Sequence, residues 1–73
     1  MESWYRVAQP GGQAQYGWGD EMEADAWASM LNARKHLTTN LYTAQLIEDA
    51  AEITRLDDGN EGVNLYDELT GDY

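Results

Sequence analysis

Seventy-three residues carrying fourteen acids against four Lys and Arg have a formal net charge of −10 and a sequence pI near 4.1. That balance lacks the basic footprint that phosphate binding needs, so direct contact with nucleic acid or an anionic membrane is not expected. There is no cysteine, which excludes disulfides and Cys-rich zinc sites as braces for a chain short enough to bury only about 60% of its unfolded surface.

The length leaves room for a single domain, and its fold must rest on packing, with homodimerisation a further route to stability. Hydrophobic residues make up 42% of the chain and include three Trp and five Tyr. That is too much apolar and aromatic surface for the disordered state an acidic excess alone would allow. The chain opens Met1-Glu2-Ser3-Trp4, and its apolar stretches are only a few residues long. No signal peptide or membrane span is expected, and the start and the missing cysteines together fit a complete cytosolic product.

Trp4-Tyr5-Arg6-Val7-Ala8-Gln9 is rich in strand formers and alternates so that Tyr5 and Val7 share one face while Trp4 and Arg6 share the other. Pro10-Gly11-Gly12 breaks the run, and Gln13 to Trp18 resumes it through Ala14, Tyr16 and Trp18. A β-hairpin over about residues 4–18 is predicted. Gly17 and Gly19 weaken its second strand and mark a bulge or a close approach of backbone. Asp20, with Glu23 three residues on, has the spacing of a capping box. From there Ala24, Trp27, Met30 and Leu31 recur on one helical stripe, with Glu21, Asp25, Ser29 and Asn32 opposite. Arg34, Lys35 and His36 fall in the last turn, where cations are favoured. The spacing predicts a helix over residues 21–35.

Beyond Thr38-Thr39-Asn40 the pattern is ambiguous. Leu41 to Ile47 fits a strand, although Leu46, Ile47, Ala50, Ile53 and Leu56 also recur at helical spacing. A strand at about 41–47 is favoured, because a hairpin with one helix is marginal and a third strand completes a sheet. Residues 50–56 fit a helical turn or a strand, and residues 57–62 a turn or loop. Val63 to Tyr66 fits a short edge strand, and the remainder to Tyr73 an acidic tail. No internal repeat is visible. The predicted fold class is α+β, a small antiparallel sheet packed on one main helix with an acidic C-terminal segment.

An enzyme needs convergent chemical groups, and His36, the only histidine, sits at a helix end where capping or exposure explains it. No Gly-rich phosphate loop, nucleophile elbow or His-metal pair occurs. An EF-hand loop begun at Asp58 would put Val63 where the sharp-turn Gly belongs and Leu69 where the bidentate Glu belongs, so two essential positions fail. Neither catalysis, metal nor cofactor is expected. Tyr5, Trp27 and Val7 are assigned to the core, while the aromatics Trp4, Trp18, Tyr66 and Tyr73 are candidate interface anchors, since Trp and Tyr are enriched at binding hot spots.

The acids are unevenly placed. Residues 1–19 are neutral, residues 20–36 sum to −2, and residues 37–73 hold nine acids against Arg55 alone and sum to −8. Glu21 and Asp25 repel each other mildly across one helical turn, as do the runs Glu48-Asp49-Glu52 and Asp57-Asp58-Glu61. Such crowding costs stability, so a use for the field is inferred, with solubility as the competing explanation.

The chain is tiny, cysteine-free and acidic, with a sheet-and-helix core and acids clustered at Glu48, Asp49, Glu52, Asp57, Asp58, Glu61, Asp67, Glu68 and Asp72. In that whole-chain character, and not by a signature motif, it resembles the small acidic phage-borne proteins that mimic DNA, including many anti-CRISPR proteins. The resemblance implies carboxylates standing in for phosphates on the basic surface of a nucleic-acid-binding partner, such as a CRISPR surveillance complex, in a host cytoplasm. Glu21, Asp25, Trp18 and Tyr66 are expected to share in that contact. The alternative is an acidic interaction module or adaptor that docks through its Trp and Tyr side chains. A small metal-binding or hydrolytic protein is the least supported reading.

Overall fold

The hairpin forms as its alternation dictates. A computed structural model describes residues 1–59 and 61–71, and in it β1 (Ser3–Ala8) pairs antiparallel with β2 (Gln15–Gly19). The register runs unbroken from Ser3 opposite Gly19 to Val7 opposite Gln15, so the strand glycines mark no bulge. They mark a close approach: a Cβ at Gly17 would collide with the Leu65 side chain, and one at Gly19 would lie 3.0 Å from it. At the turn, Gly11 takes a φ of 72°, open to glycine at little cost, and Gly12 N–H donates to the Gln9 carbonyl at 2.9 Å.

Both halves of the capping box are made at the start of α1 (Glu21–Arg34): Glu23 N–H donates to Asp20 Oδ1 at 2.8 Å, and Asp20 N–H to Glu23 Oε1 at 3.0 Å. The helix ends one residue before the predicted boundary, with His36 turned into the left-handed region at a φ of 55°. Ala24, Trp27 and Ala28 are buried against Tyr5 and Val7, with Met30 and Leu31 packed at the margin. Asn32, expected on the solvent stripe, instead brackets the backbone of Tyr42. Its Oδ1 accepts from Tyr42 N–H at 2.7 Å and its amide donates to the Tyr42 carbonyl at 3.2 Å. Those two bonds take Leu41 and Tyr42 out of the ladder, so β3 (Thr43–Leu46) is shorter than the 41–47 strand expected. It pairs antiparallel with β1.

Residues 50–56 resolve as helix. Asp49 caps α2 (Ala50–Asp58), accepting from Ala51 and Glu52 N–H at 2.9 and 3.1 Å, and Leu56 is fully buried. Asp57 and Asp58, expected in a loop, therefore occupy its last turn. The predicted edge strand contracts to β4 (Val63–Asn64), which lies parallel to β2. The sheet, ordered β3-β1-β2-β4, is accordingly mixed and not purely antiparallel, because α2 carries the chain from one edge to the other.

The expected acidic tail is a helix, α3 (Leu65–Thr70), as far as it is described; Asp72 and Tyr73 lie outside the described residues. Asn64 caps it through Asp67 N–H at 3.2 Å, and Gly71 closes it at a φ of 67°. Leu65, completely buried, fills the space above Gly17 and Gly19 beside Trp27. Thus α1 and α3 cover the Tyr5–Val7 face, while α2 touches the opposite face, that of Trp4, Tyr16 and Trp18. The α+β class holds, with three helices in place of one main helix and a tail.

Candidate functional site

Several of the acids expected to meet a partner are engaged within the fold. Asp49 caps α2, and Asp57 Oδ1 accepts the Trp4 indole N–H at 2.7 Å. Glu52 lies 3.9 Å from Arg55, whose guanidinium also pairs closely with Glu61. Arg55 stands 5.8 Å from the centre of the Tyr16 ring, so one cation ties α2 to the loop after it and to the sheet. The Glu61 charge raises its pKa beyond the ordinary arginine value, assisted by their hydrogen bond. Its Glu52 partner is legible as a helical i, i+3 pair, but its position over Tyr16 depends on strand pairing and could not be read from spacing.

Glu21 and Asp25 on α1, Glu48 before α2, Asp58 at its end and Asp67 on α3 are exposed. Among the described residues, no ion pair or hydrogen bond engages the carboxylates of these five. Glu68, half-buried on α3, has an interaction within the fold. The α2 acids lie on one side of the sheet and those of α1 and α3 on the other. A flat partner therefore meets one set, whereas a groove that closes over the sheet edge meets both.

The aromatic candidates divide similarly. Trp4 and Trp18, opposite each other in the hairpin, meet edge to face with ring centres 5.5 Å apart and planes at 66°. Gly62 fits against the Trp4 ring where any Cβ would collide. Both indoles are partly buried, and Trp4 holds α2 and its following loop to the sheet. Tyr66 is different: at 61% exposure it projects from α3. Tyr73 lies outside the described residues.

Other signals were hidden in the sequence. Burial raises the Tyr5 phenol above its ordinary pKa of 10.0, and the charges of Glu21, Asp20 and Asp25 add to the shift. Lys35 Nζ donates to the Tyr42 hydroxyl at 2.5 Å; at 5.0 Å from the ring centre it sits beyond that hydroxyl and not over the ring face. His36 is exposed at the helix exit. Among the described residues, no group of three or more His, Cys, Asp or Glu is arranged to hold a metal ion, and no helix is long and apolar enough to cross a membrane. The chain matches no known family model and no curated protein sequence.

Proposed function

We propose that the protein is a non-catalytic inhibitor that occupies the basic nucleic-acid-binding site of a partner protein, its carboxylates taking the place of phosphates. The observation that carries this reading is the set of exposed, unengaged carboxylates at Glu21, Asp25, Glu48, Asp58 and Asp67, on a chain whose Arg55 is already committed to Glu52 and Glu61. Closely spaced negative charge is what a basic groove is arranged to receive, and long-range attraction speeds the encounter.

The longest dimension, 34 Å, is about one turn of B-DNA. That turn carries about 20 phosphate charges at roughly one per 1.7 Å, twice the −10 of this chain. The mimic thus covers part of a groove and competes by blocking it. The partner class implied by the resemblance is a CRISPR surveillance complex or another DNA-binding protein in the cytoplasm of a host cell.

The test is displacement of labelled duplex DNA from the basic protein that co-purifies with this chain, followed by fluorescence anisotropy. The parent is expected to displace DNA with an effect that fades as salt rises, and Glu48→Lys with Asp58→Lys is expected to lose it without unfolding. Undiminished displacement by that double variant would sink mimicry through α2. The exposure of Tyr66 supports the second reading, an aromatic-anchored adaptor. In that case Tyr66→Ala abolishes binding and salt leaves it intact.

A further inference from the structure

An open cleft of about 380 Å³ lies where β1 begins and α1 starts, lined by Met1, Tyr5, Asp20, Glu21 and Met22. Its walls combine apolar and acidic residues. Met22 is 82% exposed although it stands in the first turn of a well-capped helix, and Met1 is exposed beside it. Acidic side chains of Asp20 and Glu21 line the same cleft.

The second observation is the Tyr5 side chain. Tyr5 is only 8% exposed, yet among the described residues no hydrogen bond engages its hydroxyl. Among the described residues no buried side-chain oxygen or nitrogen lacks a partner, so the Tyr5 hydroxyl has its remaining access to solvent, and the cleft is where Tyr5 reaches the surface. Buried phenols normally find a hydrogen-bond partner within the protein. Here the ring is buried while the hydroxyl stays at the surface, open to water or to a group that enters the cleft. The dipole of α1 puts partial positive charge at this end, but Asp20, Glu21, Glu23 and Asp25 outnumber it, and the upward shift of the Tyr5 phenol registers the carboxylates around it.

We propose that this cleft receives a lysine or arginine side chain from a basic protein partner, its aliphatic stem lying against Met1 and Met22 and its cationic head meeting Glu21, Asp20 and the Tyr5 hydroxyl. The chemistry is complementary at both ends. Long cationic side chains bury their stems along apolar surface while the head keeps polar company, and methionine adapts to such a stem. The N–H groups of the head donate to carboxylate oxygens and to a phenol oxygen that has lone pairs to give. A neutral side chain satisfies the hydroxyl but leaves the acids unanswered, and a short cation leaves the methionines uncovered.

This inference rests on the proposed reading only in expecting a basic partner, and its test needs neither DNA nor the α2 acids. The ¹⁵N-labelled full chain is titrated with acetyl-Gly-Arg-Gly-amide, with the same peptide carrying citrulline, and with methylguanidinium ion. The arginine peptide is expected to shift the amide signals around Tyr5 and from Asp20 to Glu23 saturably. The citrulline peptide should leave them in place, and methylguanidinium should bind more weakly for want of a stem. Glu21→Gln, Met22→Ser and Tyr5→Phe should each weaken the peptide by about three- to tenfold, the range of a partly exposed charge-assisted contact, while Glu48→Gln with Asp58→Asn leaves it unchanged.

Equal binding of the citrulline peptide, shifts spread evenly over the α2 acids, or indifference to Met22→Ser with Glu21→Gln would overturn the proposal. Both of those residues are exposed, so the fold survives their replacement. A parent chain that displaces DNA but does not bind the arginine peptide strikes the cleft alone; one that binds the peptide but does not displace DNA strikes the mimicry alone.

Discussion

Tyr5 is the residue where burial and charge push in the same direction, since both disfavour the phenolate. Below the ordinary phenol value of 10.0 folded and unfolded chains both hold this proton, and its contribution to stability is complete. As pH rises above that value the unfolded chain releases the proton while the folded chain retains it. Stability then falls, by at most about 1.4 kcal/mol per pH unit for one group, until the raised native value is passed. Urea unfolding at a series of alkaline pH values is expected to show that decline, and Tyr5→Phe to make it shallower while changing little at neutral pH. An unchanged slope in Tyr5→Phe would remove Tyr5 as its source.

Asp57 and Asp58 give a second contrast at this scale, because only Asp57 accepts the Trp4 indole proton. Asp57→Ala is expected to cost about 1 kcal/mol, the net worth of a side-chain hydrogen bond, with a shift in tryptophan emission. Asp58→Ala should stay within about 0.5 kcal/mol of the parent in denaturant titration. Two neighbouring aspartates look alike in sequence. What distinguishes them is a hydrogen bond spanning 53 residues, and the pair of hydrogen bonds between Asn32 and Tyr42 is concealed for a similar reason.

Among the elements, α3 is the one whose weight most exceeds its length. Its six residues are too few to hold a helix in isolation, and it persists because Leu65 fills the space left by two glycines on β2. Leu65→Ala should therefore cost about 2–5 kcal/mol, the range for truncating a fully buried leucine, a large share of the roughly 5–15 kcal/mol a domain possesses. Guanidinium titration followed by far-ultraviolet circular dichroism measures it. A variant as stable as the parent would detach α3 from the core.

The hairpin and α1 were readable because alternation, a complete capping box and an apolar stripe are local and agree with one another. Helix α2 was half-readable, since Leu56 and Ile53 suit a helix while the Asp49 cap is a single short-range signal. In contrast, β4 spans two residues and α3 less than two turns, so neither leaves a period to detect. The partner of Gly17 lies on a strand–helix junction far along the chain. The acids of the candidate site were all visible as residues, but which of them the fold consumes became visible only with its hydrogen bonds.

At the scale of the whole molecule the net charge acts on folding and on binding with opposite signs. A charge of −10 on a body of 34 × 30 × 21 Å repels itself, and Arg55 relieves this only locally. Raising ionic strength from about 0.01 M to about 0.15 M shortens the Debye length from about 30 Å to about 8 Å, from nearly the full length of the protein to the spacing of near neighbours. Self-repulsion across the fold is thereby screened, and the melting temperature is expected to rise. Each 1 kcal/mol gained corresponds to about 4–8 °C for a domain of this size. The same screening should weaken attachment to a basic partner over that interval, because long-range attraction is what the exposed carboxylates supply.

Calorimetry and binding measured in parallel across one salt series separate the explanations for the acidic surface. A solubilising surface stabilises with salt and leaves binding flat, whereas a phosphate-mimicking surface stabilises the free protein while its affinity falls. Binding that holds steady while the melting temperature climbs would place recognition in Tyr66 and the other apolar contacts, and the acids would then serve only to keep the chain in solution.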